Sequence, residues 1–253
     1  MVTAITRQVS PRFAECEITH IERTPIDLAV AQLQHRGYVD ALKSLGCEVI
    51  ELPAERDLPD SVFVEDAAVI LPEVAVITRP GADSRKPETE SIVHTLAPLK
   101  KLVSIREPAT VDGGDVLVLG KNIYVGQSTR SNRAAIDQLQ TLLADYGYIV
   151  KGVELHDCLH LKSAVTRVDE RTLLINKEWV DIGHFADYEM IEVEPSEPHA
   201  ANCLPIGDSL IFPTAFPKTR AKLEARGYQL CVVDVSELAK AEGAVTCCSL
   251  IVI

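Results

Sequence analysis

The sequence predicts an α/β fold in which repeated strand–turn–strand–helix units close into a five-bladed α/β propeller. Three observations predict it. One pattern recurs along the chain: a strand, a tight turn, a second strand and an amphipathic helix, in units beginning near residues 66, 113, 162, 202 and 248. The intervals are regular, at 47, 49, 40 and 46 residues. The last unit holds only one strand, and the N-terminal segment carries the elements it lacks, as in rings whose termini share a module. An open doubly wound sheet is the alternative for alternating strands and helices, but it needs crossovers between parallel strands where these units contain hairpins.

The first full unit reads as a strand over 67–71, a turn at Pro72-Glu73, a strand over 74–78 and a helix near 88–99. The second has strands over 115–119 and 123–126 around Gly120-Lys121-Asn122, then a helix over 131–146. The third turns at Asp169-Glu170 and is followed by only a weak helical pattern. The fourth turns at Gly207-Asp208 before a helix over 218–226. The fifth begins with the apolar, β-branched run from Cys248 to Ile253, after the small residues Gly243 and Ala244. A strand over 17–21 and a helix over 27–45 are expected to complete it. The two adjacent cysteines are expected to start this strand, so that Cys247 and Cys248 face opposite ways. No low-complexity or linker stretch interrupts the 253 residues, so a single domain spanning 1–253 is expected, with 11–25 and 79–87 its most mobile loops.

Bulk properties narrow the function. No run approaches the ~20 apolar residues of a membrane span, and the start of the chain lacks a signal-peptide layout. Seven cysteines, an odd number with no Cys-x-x-Cys pair, point to free thiols in a reducing cytoplasm. A net charge of −12 argues against nucleic acid and is compatible with a cationic ligand.

Four polar clusters fall at unit starts, which a ring gathers at one end of its channel. Asp60 to Asp66 places three carboxylates around an apolar stretch, and Glu65-Asp66 abuts a strand, where acids must be exposed or used. Asp112-Gly113-Gly114-Asp115 pairs two acids with glycines that let the backbone pass close to a neighbour. The third is His160 between two leucines, and the fourth is Cys247. A cysteine, a histidine and a third polar residue on separate elements form the arrangement of covalent thiol catalysis. The histidine moves protons, and a carboxylate on its second nitrogen fixes the tautomer. Surplus carboxylates suit a planar cation such as a guanidinium. His156 and His160 have the spacing of two zinc ligands on one helix face, but the β-branched pattern around them argues against a helix.

Phe63-Val64-Glu65-Asp66, Asp112-Gly113-Gly114-Asp115, His160-Leu161-Lys162-Ser163, Ala201-Asn202-Cys203 and Thr246-Cys247-Cys248-Ser249 resemble the dimethylarginine dimethylaminohydrolase family. So do Ile77-Thr78-Arg79-Pro80-Gly81 and Ser128-Thr129-Arg130-Ser131-Asn132. The resemblance runs from about residue 18 to the C-terminus and implies the pentein fold of the guanidino-group-modifying enzymes. It implies Cys247 as nucleophile, His160 as general acid and base, and Asp112 as the residue orienting the histidine. Asp60, Glu65 and Asp66 would hold the substrate guanidinium and a water. Arg85 and Arg130 would bind the amino-acid carboxylate. The backbone near Ala241 and the loop residue Ile18 would meet the substrate's amino-acid end and the lid. The implied reaction releases citrulline from methylated arginines with no metal or organic cofactor. The partner is thus a small cationic guanidino compound, not nucleic acid or membrane, and a homodimer is allowed. The alternatives are another guanidine, such as arginine itself, or a module that binds arginine derivatives without turnover. The chain resembles the larger arginine deiminases less: it has Lys162 where they carry a second guanidinium-binding aspartate, and it lacks their helical insertion.

Overall fold

A computed structural model describes residues 2–253. The chain opens with strand β1 (Thr3–Arg7), helix α1 (Leu28–Ser44) and strand β2 (Glu48–Leu52). The second unit follows with β3 (Ala68–Ile70), β4 (Ala75–Ile77), α2 (Thr89–Leu96) and β5 (Leu102–Ser104). The third is β6 (Val116–Leu119), β7 (Asn122–Gln127), α3 (Arg133–Leu143) and β8 (Ile149–Glu154). The fourth opens with the single turn α4 (Leu161–Ala164) and continues through β9 (Val165–Arg167), β10 (Thr172–Ile175) and β11 (Glu189–Glu192). Its weak helical pattern yields only a 3-10 turn at Ile182–Phe185. The fifth has β12 (Leu204–Ile206), β13 (Ser209–Pro213), α5 (Pro217–Ala225) and β14 (Gln229–Val233), after which α6 (Ser236–Ala239) leads to β15 (Leu250–Val252).

Every unit carries one sheet of three strands with the same pairing. The first two strands are antiparallel, and the third returns parallel to the second. The sequence pattern of strand, strand and helix therefore omitted a strand. The missing strands are the third of each sheet and half exposed, so they lack the buried apolar runs that marked the inner pair. In the unit that joins the two ends, β15 serves as first strand: it pairs antiparallel with β1, and β1 pairs parallel with β2. The closing strand is thus Thr3–Arg7, not the expected 17–21, which is irregular. That segment alternates polar and apolar residues, but it lies between Pro11 and Pro25 and its backbone N–H groups bond to side chains instead of a ladder.

Helix boundaries follow local chemistry. Asp27 caps α1 by accepting from the Val30 N–H, and Asn132 caps α3 by accepting from Ala135. Pro217 occupies the first turn of α5, where its missing N–H costs nothing. The core is divided into five apolar clusters, one at each junction between neighbouring units. Ile5 and Leu250 meet Ala68 and Ile92; Val76 meets Ile123 and Leu139; Leu117 meets Val165; Leu174 meets Phe212; Ile211 meets Leu42. Five junctions for five units close the ring, as the sequence predicts.

Candidate functional site

Each unit delivers one polar segment just ahead of its inner strand, and the ring gathers all five. Glu65 and Asp66 lie on a 3-10 turn (Val64–Ala67) before β3, and Asp112 precedes a second one (Gly113–Asp115) before β6. His160 is the residue before α4, Asn202 stands before β12, and Cys247 lies in the turn before β15. Both cysteines belong to that turn and both are buried in one apolar cluster, so the expected strand alternation does not separate them. Cys247 is 9 % exposed, His160 6 % and Asp112 fully buried.

Close approach depends on the glycine pair. A Cβ on Gly113 would stand 1.9 Å from the Glu65 carbonyl oxygen, and one on Gly114 would stand 2.6 Å from His160 Nδ1 and 2.9 Å from Asp66 Oδ1. The Gly114 N–H donates to Asp66 Oδ1 at 2.9 Å. His160 Nε2 lies 3.1 Å from Asp112 Oδ2, while Asp112 Oδ1 accepts from the Gly81 N–H at 2.9 Å. The Cys247 carbonyl accepts from the Glu65 N–H at 3.1 Å, and Cys247 Sγ accepts from the Ala244 N–H at 3.4 Å. These contacts join the terminal turn to the acidic segment and the acidic segment to the imidazole.

The electrostatics are those of a buried acidic hollow. Burial by itself would depress His160, but Asp66, Asp115 and Asp112 outweigh it and hold the imidazole up to about 9. It is therefore an imidazolium at neutral pH. Burial pushes the Cys247 thiol well above its ordinary value, and Glu65 and Asp66 push it further. Asp66 faces both groups. Its own carboxyl is raised by burial, yet His160, Arg85 and the Gly114 N–H bring it down to about 2. The site at rest thus holds a neutral thiol and a charged imidazole, both under the influence of Asp66, and a cation entering it would favour the thiolate.

Arg85 is placed differently from the sequence expectation. Its guanidinium is buried and spent within the protein, on Asp66 Oδ2 at 2.7 Å, on Glu88 at 2.8 Å and on the Phe63 carbonyl at 3.2 Å. Two acids with a cation between them satisfy one another, so Arg85 lies beneath the acidic segment as its counter-ion. Asp60, raised by burial, accepts the Glu17 N–H with both oxygens at 3.2 Å. Arg130 Nη2 donates to Thr19 Oγ1 at 3.1 Å, and its Nη1 is 3.9 Å from Asp112 Oδ2. Ile18, between these tied residues, is half-buried on the cluster that also holds Ala241.

Three residues to which the sequence reading gave no role are built into the same place. Lys162 Nζ donates to Glu65 Oε1 at 2.6 Å, and Thr246 Oγ1 donates to Glu65 Oε2 at 2.8 Å. Asn202 ties these partners together, donating to the Lys162 carbonyl and to Thr246 Oγ1, each at 3.0 Å. Asp115 accepts Ser128 and Ser131 hydroxyls on Oδ2 at 2.6 Å and the Leu161 N–H on Oδ1 at 3.0 Å, while Ser131 Oγ accepts the Asp112 N–H at 3.1 Å. One carboxylate thereby fixes the backbone beside both His160 and Asp112. The signal for Asn202 was its position: it occupies in the unit of β12 the place that acids, histidine and cysteine take in the others.

Asp66, Asp112 and His160 present atoms within 4.8 Å of one another, a separation that three metal ligands would also show. Their oxygens already accept from Arg85, Gly114 and Gly81, which accounts for the cluster without an ion. His156 is not on a helix with His160, which removes the geometry of the zinc alternative. Among the described residues no helix is long and apolar enough to cross a membrane.

Comparison with known proteins follows the same lines. The family model described as N,N dimethylarginine dimethylhydrolase, eukaryotic, matches residues 21–252. The N(G),N(G)-dimethylarginine dimethylaminohydrolase of Streptomyces coelicolor is 40 % identical over 247 residues, covering 97 % of this chain and 95 % of that protein. Among solved structures, a cysteine-to-serine variant of the Pseudomonas aeruginosa enzyme in complex with citrulline is similar, at 35 % identity and a TM-score of 0.95 over 98 % of both chains. A dimethylarginine dimethylaminohydrolase histidine-to-glycine variant, as an adduct with S-methyl-L-thiocitrulline, has the same identity and TM-score over 99 % of this chain and 100 % of that one.

Proposed function

The chain belongs to the dimethylarginine dimethylaminohydrolase family, and we propose that it hydrolyses Nω-methylated arginines to citrulline and dimethylamine or methylamine through a covalent intermediate on Cys247. The observation that carries this reading is the set of contacts that gathers these residues: the Glu65 N–H donates to the Cys247 carbonyl, the Gly114 N–H donates to Asp66, and His160 Nε2 lies 3.1 Å from Asp112. In such a place a guanidinium is drawn in by Glu65 and Asp66, and its positive charge offsets what raises the thiol.

The steps follow from that charge balance. Substrate entry favours loss of the thiol proton to solvent, and the thiolate attacks the guanidinium carbon, forming a C–S bond and a tetrahedral adduct. The His160 imidazolium donates its proton to the methylated nitrogen, the C–N bond breaks and the amine leaves. A thiouronium-like intermediate remains on Cys247. His160, now neutral, takes a proton from water, which adds to the same carbon. The C–S bond then breaks, the sulfur leaves with a proton, and citrulline is released. Asp112, 3.1 Å from His160 Nε2, holds the ring in orientation through both halves of the cycle. Asp60 would turn to the substrate guanidinium and its water, and Arg130 to the substrate carboxylate, once their present partners, the Glu17 N–H and Thr19 Oγ1, give way.

The free state of all seven cysteines supports a reducing, cytoplasmic setting. A panel of arginine, monomethylarginine and asymmetric dimethylarginine, scored for citrulline, tests the reading. Turnover of the methylated forms is the expected result, turnover of arginine alone would reassign the substrate, and binding without product would make the chain a binding module.

A further inference from the structure

Glu242 has a backbone conformation that its residue type disfavours. Its φ is +59°, and among the described residues only Asp157 shares a positive φ without being glycine. A left-handed glutamate brings its Cβ close to the following carbonyl oxygen, and it persists where surrounding contacts over-determine the chain. Those contacts are present. Gly243 lies against the Phe63 ring, where an added Cβ would be 2.2 Å from a ring carbon, and Ala241 is buried. A glycine would satisfy the backbone here without strain, so the glutamate side chain needs its own explanation. The half-buried carboxylate accepts two N–H groups from the far end of the sequence: Thr19 on Oε2 at 2.8 Å and His20 on Oε1 at 2.6 Å.

Four other ties hold the 17–20 segment. Glu17 N–H donates to both oxygens of Asp60, Ser84 Oγ donates to Glu17 Oε1 at 2.7 Å, and Arg130 donates to Thr19 Oγ1. On the substrate reading above, Asp60 turns to the substrate guanidinium and Arg130 to its carboxylate. Substrate binding therefore competes with the Asp60 and Arg130 ties and leaves the Ser84 bond and the two bonds to Glu242 intact. We propose that Glu242 is a positioning residue for the reaction: it latches the 17–20 segment beside Asp60 and Arg130 in the free protein and keeps it there when substrate binds, and so sets the fraction of molecules able to hold substrate. The proposal rests on the activity proposed above for its kinetic consequence alone; the latch itself is a statement about the free protein.

The test uses Glu242→Gly, which keeps the left-handed backbone and removes the carboxylate, beside Glu242→Gln, which retains one carbonyl oxygen as acceptor. Amide exchange at Thr19 and His20 and alkylation of Cys247 by neutral iodoacetamide, located by mass spectrometry, are measured without substrate. In E242G both should accelerate about tenfold or more, and KM for asymmetric dimethylarginine should rise by a similar factor with kcat changed much less, since apparent affinity scales with the competent fraction. E242Q should fall between E242G and the parent in each measurement. Parental exchange at Thr19 and His20 in E242G would overturn the latch. Faster exchange with an unchanged KM would overturn its role in positioning. If no guanidine is turned over at all, exchange and alkylation still decide the latch, and the activity reading fails separately.

Discussion

At His160 burial and charge oppose one another, and charge wins. An imidazole held near 9 by three carboxylates is protonated in the free protein over the whole neutral range. The folded value lies above the ordinary one of about 6.5, so the stabilisation is fully present below that value and is lost as pH rises through about 9. In the proposed reaction the imidazolium is also the acid, so kcat/KM should fall above about pH 9. Asp112→Asn removes one of the charges that raise His160; the descending limb should move to lower pH and kcat should drop by about 10²- to 10⁴-fold. A pH–rate profile of the variant measures both, and an unmoved limb would contradict the orienting role. Cys247→Ser should lose at least about 10³-fold in kcat while keeping its melting temperature, because the hydroxyl is nearly isosteric but a far weaker nucleophile. Substantial turnover by that variant would sink the assignment of Cys247.

Among the elements, the Gly113–Asp115 turn governs how closely the units approach, and its two glycines have separable duties. A methyl on Gly113 meets backbone, the Glu65 carbonyl, which cannot step aside. Gly113→Ala should therefore destabilise the fold by about 1–3 kcal/mol or more, read from denaturant unfolding. A methyl on Gly114 meets the movable His160 ring and the Asp66 carboxylate. Gly114→Ala should lower kcat/KM by at least about tenfold with a smaller loss of stability, because misplacing a reacting group by an ångström costs this much or more. Equal stability losses in the two variants would contradict the division. The motif was legible as a close approach of backbone to something; what it approaches was not, since Glu65 and His160 are distant in sequence. The irregular 17–20 segment was illegible for a similar reason. Its alternation of polar and apolar residues resembles a strand, and only its cross-chain partners Asp60 and Glu242 show where its N–H groups go.

At the scale of the whole molecule, the ring is held at five apolar junctions between units, and the chain ends meet inside one unit, where β15 pairs with β1. Thr3 pairs with Val252, which brings the two ends of the described chain side by side. A circular permutant that links Ile253 to Val2 through a short Gly/Ser linker and opens the exposed turn at Glu170 should fold, bind and turn over like the parent, with a melting temperature within several degrees, because each junction is preserved. Loss of cooperative thermal unfolding in the permutant would show that the ring depends on its native connectivity.

By itself the sequence determined the repeat, four of the five inner hairpins and where polar residues gather at the unit starts, because hydrophobic periodicity, turn residues and rare polar placements are local signals. Tertiary structure decided the remainder: Thr3–Arg7 as the closing strand, five outer strands too exposed to mark themselves, Arg85 folded under Asp66, and Lys162, Asn202 and Asp115 as the struts of the site. The physical reason is distance along the chain. Each of those outcomes depends on which partner satisfies a buried charge or an unpaired backbone group, and that partner lies across a ring junction, where periodicity carries no information.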